Sequence, residues 1–186
     1  GEQYCPLKDD RDAIIAKIES ADAVILASPN HSMNVNWLMK NYIDRFSYLL
    51  HRPRYFNQRF MLLISSGSYP GVKAALKALS AAVSGGTVVS RLAVMSSPGM
   101  NDSKVRKEHK KLDAAARRFA AVMQKGQRFP ASAANLLWFS VFKATSSAHA
   151  EEYPADLEYY ESKAFFTDTD LNLLQALADQ ASVSIH

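Results

Sequence analysis

Two kinds of hydrophobic pattern alternate along the first two thirds of the chain. In "RDAIIAKIES", with the Ala just after it, apolar residues fall at Ala13, Ile14, Ile18 and Ala21. That is the spacing of one helix face, with Asp9-Asp10 upstream as candidate caps. The apolar run Ala23 to Ala27 reads as a buried strand and stops at Ser28-Pro29. A polar loop follows, after which Val35, Leu38, Met39, Tyr42, Ile43 and Phe46 trace a second helix face, closed by Pro53. "RFMLLISSGS" reads as another buried strand running into a Ser/Gly loop. A helix is predicted from Pro70, a residue suited to a first helical position, to about Val83, with Gly85-Gly86 ending it. "TVVSRLAVMSS" is a third strand, alternating around Arg91. Asp102 or Ser103 can cap a long helix to about Lys125, with an apolar stripe at Val105, Leu112, Ala116, Phe119 and Met123. Gly126 and Pro130 terminate it.

Strands alternating with helices predict an α/β doubly wound parallel sheet, joined by right-handed crossovers and covered by helices on both faces as a three-layer sandwich. Near-continuous apolar strands agree, because both faces of such a sheet are buried. Ligands bind at the carboxyl ends of parallel strands, so the loops that begin at Ser28 and Ser65 are expected side by side at that edge. After Gly126 the pattern changes. "FPASAANLLWFSVFKATS" has mixed helical spacing, "EEYPADLEYYESKAFF" is acidic and aromatic, and "DTDLNLLQALADQASVSIH" resembles a short capped helix with Leu171, Leu174 and Leu177 on one side. Residues 1–126 are therefore expected to form the α/β domain. Residues 127–186 are expected to form a helical C-terminal extension that packs on the domain or on a second subunit.

Composition narrows this picture modestly. The 186 residues suit one domain, with 48% hydrophobic and 22% charged residues. A net charge of +4 is too small to argue for nucleic acid. A single cysteine, Cys5, leaves no intrachain disulfide, so a reducing cytoplasm is the expected compartment. No charged-then-apolar leader is visible at the N-terminus, and no apolar run approaches the roughly 18 residues of a membrane helix.

Two loops carry the candidate chemistry. Ser28, Asn30, His31, Ser32, Asn34 and Asn36 bring hydroxyl, amide and imidazole groups together ahead of a helix N-terminus. Such a loop can bind a planar heterocycle with carbonyl and ring-nitrogen acceptors, or it can be a helix cap plus a turn. The second loop, Ser65-Ser66-Gly67-Ser68-Tyr69-Pro70-Gly71, is small enough for a ligand to approach its backbone. It has neither a dinucleotide-binding GxGxxG pattern nor a P-loop lysine motif. "SSGS" is not the nucleophile elbow GxSxG, so a hydrolase using Ser66 and His31 ranks low. The five histidines lack metal-ligand spacing, and the basic run "KVRKEHKKLDAAARR" reads as a solvated helix face.

The stretch "DDRDAIIAKIESADAVILASPNHSMNVNWLMKNYIDRF" resembles the flavodoxin-like NAD(P)H-dependent flavin or quinone reductases, the NADPH-dependent FMN reductase group among them. Asp9, Asp10, Ala21, Asp22, Ser28, Pro29, Asn34, Val35, Lys40, Asp44 and Arg45 carry the resemblance. It implies a flavodoxin-like fold in which Ser28, Pro29, Asn30, His31, Ser32, Met33, Asn34 and Val35 line a flavin ring, and Ser66, Gly67 and Ser68 contact it from the next strand. It further implies FMN as cofactor, NAD(P)H as hydride donor, a small-molecule electron acceptor such as a quinone or flavin, and a homodimer. No side-chain nucleophile is required, because the flavin carries the chemistry. The family often has Tyr where His31 stands and a small residue where Met33 stands. Its fold usually opens with a strand and a phosphate-binding loop, and none precedes Cys5. The domain is therefore expected to be N-terminally incomplete, with the Ala23–Ala27 strand at an edge. This would reflect a fragment of a longer protein, an edge covered by another chain, or a non-catalytic binding or assembly module without flavin.

Overall fold

A computed structural model describes residues 7–125 and 132–163. Helix α1 (Arg11–Ser20) leads into strand β1 (Ala23–His31), which turns back into the two-residue β2 (Asn34–Val35). Helix α2 (Trp37–Arg45) and a single 3-10 turn (Ser47–Leu50) lead to β3 (Arg59–Ser66). Helix α3 (Val72–Ala81), β4 (Thr87–Met95) and the long α4 (Asp102–Gln124) follow. Two further helices, α5 (Ala133–Ala148) and α6 (Pro154–Ser162), form the C-terminal part. The predicted helix around Leu171–Leu177 lies outside the described residues.

The sheet order is β2-β1-β3-β4. The long strands are parallel, with Ala23 to Pro29 aligned on Arg59 to Ser65 and β3 aligned in turn on β4. β3 is central, and period-two alternation sends its side chains to two cores. Phe60, Leu62 and Ile64 pack with Ile15 and Ile18 of α1 and Ala75 and Leu79 of α3. Met61 packs with Leu92 and with Phe119 of α4. Helices thus cover both faces, which is the expected three-layer α/β architecture.

Three expectations need correction. β1 is not buried throughout. Among the described residues its outer side pairs only through Asn30 and His31, and Ile25 is 57% exposed, the α4 core there including Ala23 alone of this strand. The buried stripe of α4 runs through Leu112, Ala115, Phe119 and Val122, while Val105 and Ala116 face solvent. Finally, α3 starts at Val72, with Gly71 at its N-cap in place of Pro70 at its first position.

The C-terminal helices tie back to the segment before β3. Asp156, buried on α6, accepts from His51 Nδ1 at 2.9 Å and forms an ion pair with Arg52 Nε at 2.9 Å. The Tyr160 hydroxyl donates to the His51 carbonyl at 2.7 Å, and the Tyr159 hydroxyl donates to the Pro53 carbonyl. On α5, Phe142 stacks on the His51 ring at 4.2 Å. All these contacts lie at the amino-terminal end of β3, opposite the edge where the two candidate loops emerge.

Candidate functional site

The polar loop expected after Ser28 is a strand extension and a hairpin. β1 continues through Pro29 and Asn30 to His31, which pairs with Asn34 of β2. A proline is tolerated because β1 is an edge strand at that point. Val35, expected on α2, is instead buried in β2, and the helix begins two residues later. The turn residues Ser32 (φ 47°) and Met33 (φ 65°) are both left-handed, the pair that a tight two-residue hairpin demands. Neither is Gly, so each conformation costs about 1–2 kcal/mol and must be held by its surroundings.

The base of the hairpin is held by Ser28. Its buried Oγ accepts from the Asn36 N–H at 3.1 Å and donates to the Pro29 carbonyl at 2.9 Å. Asn36 in turn caps α2, its Oδ1 accepting from the Met39 N–H at 3.0 Å. The tip is held by the second loop. Asn30 Nδ2 donates to Ser66 Oγ at 2.9 Å and to the Pro70 carbonyl at 2.8 Å. Gly71 (φ 83°) lies against the backbone of Met33. The two loops are therefore one structure at the carboxyl edge of the sheet.

This arrangement divides the candidates. Ser28, Val35 and Ser66 are buried, and Asn30 spends its amide on the second loop. Ser66 Oγ donates to the Ser68 carbonyl and accepts from Asn30 and from the Ser68 N–H. Its proton is thus already committed, and no histidine reaches it among the described residues, which removes the structural basis for a Ser66–His31 hydrolase. Pro29, His31, Ser32, Met33, Asn34, Gly67 and Ser68 are exposed and face solvent at this edge. The N–H groups of Ser32 and Met33 have no acceptor among the described residues. A Cβ added at Gly67 would meet only the Ser96 carbonyl oxygen, at 3.8 Å, so the floor beside the hairpin is open. Tyr69 (79% exposed) and Trp37 (73% exposed) stand on the adjoining segments.

Gly71, part of the second loop, has a role against Met33 that its residue type alone did not reveal. A glycine placed directly after Pro70 and before a helix was its signal. Asp9, Lys40, Asp44 and Arg45, noted for the resemblance, serve local architecture. Arg45 Nη2 pairs with Asp9 at 2.6 Å, joining α2 to the start of α1, and Lys40 pairs with Asp44 along α2. Under α2, burial raises the Tyr42 hydroxyl to about 12, so it stays neutral at physiological pH. Among the described residues no cluster of His, Cys, Asp or Glu could hold a metal, and no helix is long and apolar enough to cross a membrane.

The profile of the NADPH-dependent FMN reductases matches residues 1–101, a span that contains both loops and all four strands. The chain belongs to this family. An iron-sulfur flavoprotein of Archaeoglobus fulgidus is 47% identical over 49 residues, which is 26% of the chain and 22% of that protein, so the match spans about a fifth of that relative's length. Among solved structures, the Trp repressor binding protein from Bacillus subtilis is 22% identical, with a TM-score of 0.45 over 61% of the chain and 73% of its own. A flavone reductase is 14% identical, with a TM-score of 0.47 over 69% of the chain and 52% of its own. The residues present fit the ring end of a flavin. Unpaired backbone donors at the hairpin tip, the imidazole of His31, the amide of Asn34 and the open floor at Gly67 match a flat heterocycle with acceptors along one edge.

Proposed function

We propose that this chain forms the flavin-ring side of an FMN-dependent NAD(P)H oxidoreductase that reduces a quinone, another flavin or a comparable small acceptor. The observation that carries this reading is the joined pair of loops at the carboxyl edge of a parallel sheet, within the span matched by the family. Bound FMN would take up hydride from the nicotinamide and pass electrons to the acceptor. The protein's own contribution is orientation. The hairpin tip and Asn34 supply hydrogen bonds along one edge of the ring, His31 and Met33 lie beside it, and Gly67 and Ser68 leave room for its face. The nearby hydroxyls of Ser28 and Ser66 are engaged within the protein, so proton transfer does not run through them. Cytoplasmic residence, resting on the single cysteine, and a homodimer belong to the same reading. The dimer is supported by the exposed Leu137, Trp138 and Val141 on α5.

The test is a titration of the purified chain with FMN followed by NADPH under anaerobic conditions. Quenching of flavin fluorescence and bleaching of the flavin absorbance by NADPH are expected. A second reading, a flavin-free binding or assembly module, is favoured by the exposed Ile25 on the edge strand together with the apolar residues of α5. It would be supported by a stable oligomer with no response to FMN.

A further inference from the structure

We infer that Asn30 and Gly71 are the positioning residues of this site, a clasp that locks the β1–β2 hairpin and the β3–α3 loop into one preformed surface. The inference rests on the flavin reading for its ligand and on the geometry for the clasp itself.

Asn30 was a candidate ligand by its residue type. Its surroundings give it another task. A carbonyl can only accept, so the bond to the Pro70 carbonyl fixes which end of the amide is Nδ2 and points both amide hydrogens at the second loop. The opposite end, Oδ1, is buried and has no partner among the described residues. A ligand that cannot reach this oxygen gains nothing from it. The half-buried side chain is costly to place and is retained for the bridge it makes.

Gly71 does the same work with backbone. A Cβ at this position would lie 2.2 Å from Met33 Cα, 2.5 Å from its carbonyl carbon and 2.6 Å from its oxygen. These are main-chain atoms, so no side-chain rotation relieves the clash. The φ of 83° also disfavours any L residue. Gly71 is itself anchored, because its carbonyl accepts from the Ala75 N–H at 2.9 Å in the first turn of α3. The left-handed pair Ser32–Met33 is thus pressed between a rigid helix start and a side-chain bridge. The clasp supplies what a strained, glycine-free turn requires. It also holds the two unbonded N–H groups of that turn at a fixed place beside the open floor at Gly67. Preformed donors bind a rigid ligand without the cost of ordering them.

The experiment compares the unaltered 186-residue chain with Asn30→Ala, Asn30→Asp and Gly71→Ala. It measures FMN affinity by fluorescence quenching, the absorption spectrum and midpoint potential of bound flavin, the melting temperature, and hydrogen exchange resolved by peptide. The clasp predicts that each substitution speeds exchange in residues 30–35 and 66–72 together, leaves α4 unchanged, weakens FMN by about tenfold or more, and alters the spectrum or potential of any flavin still bound. Asn30→Asp is expected to resemble Asn30→Ala, because an ionised carboxylate cannot donate to the Pro70 carbonyl. Faster exchange in the altered loop alone would overturn the clasp. Coupled exchange with unchanged FMN affinity and spectrum would overturn the positioning role. Failure of the unaltered chain to bind FMN would overturn the flavin reading and the positioning role with it, while the exchange data would still decide the clasp.

Discussion

Glu108 sits where α4 passes the end of β4, and its Oε2 accepts from the Met95 N–H at 3.0 Å. Lys111, one turn on, approaches the same oxygen at 3.2 Å and also donates to the Ala93 carbonyl. The Met95 N–H is the main reason the carboxyl is held below its ordinary range, with Lys111 adding to it. A lowered folded value means stabilisation that is present above the ordinary carboxylate pKa and lost as pH falls through the folded one. Glu108→Gln is therefore expected to cost about 1 kcal/mol at pH 7, a figure kept small because water reaches the pair. That corresponds to about 2–4 °C in melting temperature. The gap between variant and parent should close in melts run below about pH 4, and a constant gap across pH would refute the assignment. This scale is also where the sequence was least legible. Ser28, Asn30 and Ser66 were recognisable as polar residues near a ligand edge. Whether each faces the ligand or its neighbours depends on partners such as Pro70, which is 40 residues from Asn30. Residue type carries no record of such a partner.

At the scale of elements, periodicity located β1, β3, β4 and helices α1 to α4, because a 3.6-residue stripe and a continuous apolar run are local properties. It failed at the β1–β2 hairpin. Two left-handed residues without Gly or Asn leave no turn signature in "NHSMNV", and the conformation is imposed by Gly71 from another loop. The residues that attach α6 were equally hidden. "EEYPADLEYY" reads only as an acidic, aromatic part of an extension expected to pack on the domain or a second subunit, and nothing in it marks Asp156, which is 5% exposed and pairs with His51 and Arg52. Removing one partner of a buried ion pair is far costlier than never having built it. Asp156→Ala is expected to destabilise by about 3 kcal/mol. It should also raise hydrogen exchange through α6 and the adjoining face of α5 while leaving β3 protected. Unchanged protection of α6 would mean that the tyrosine hydroxyls, bonded to the carbonyls of His51 and Pro53, suffice to hold it.

For the molecule as a whole, helices cover both faces of the sheet, and among the described residues its outer strands are β4 and the Ala23–Pro29 stretch of β1. Among the described residues the backbone of β1 from Ala23 to Pro29 pairs with β3 alone, and Ile25 lies exposed beside it. An apolar edge strand is a template for pairing with another chain, and a charge placed on it is the usual remedy. Ile25→Lys is thus expected to reduce concentration-dependent scattering without lowering the melting temperature, since the side chain contributes little to either core. The same layout bears on the cofactor. The exposed residues proposed above to line the flavin sit at the hairpin tip or beside Gly67, and none of them is a lysine or arginine. The ring should then supply nearly all the affinity that this chain has for FMN. Riboflavin, which has the ring without the phosphate, is expected to bind within about tenfold of FMN. A phosphate held by charge and backbone amides would add far more than the ~1.4 kcal/mol that tenfold represents. Fluorescence titrations with both ligands at two salt concentrations decide the matter. Equal affinities that do not vary with salt support ring-only recognition. A much tighter, salt-sensitive FMN would show that residues beyond those assigned to the ring hold its phosphate.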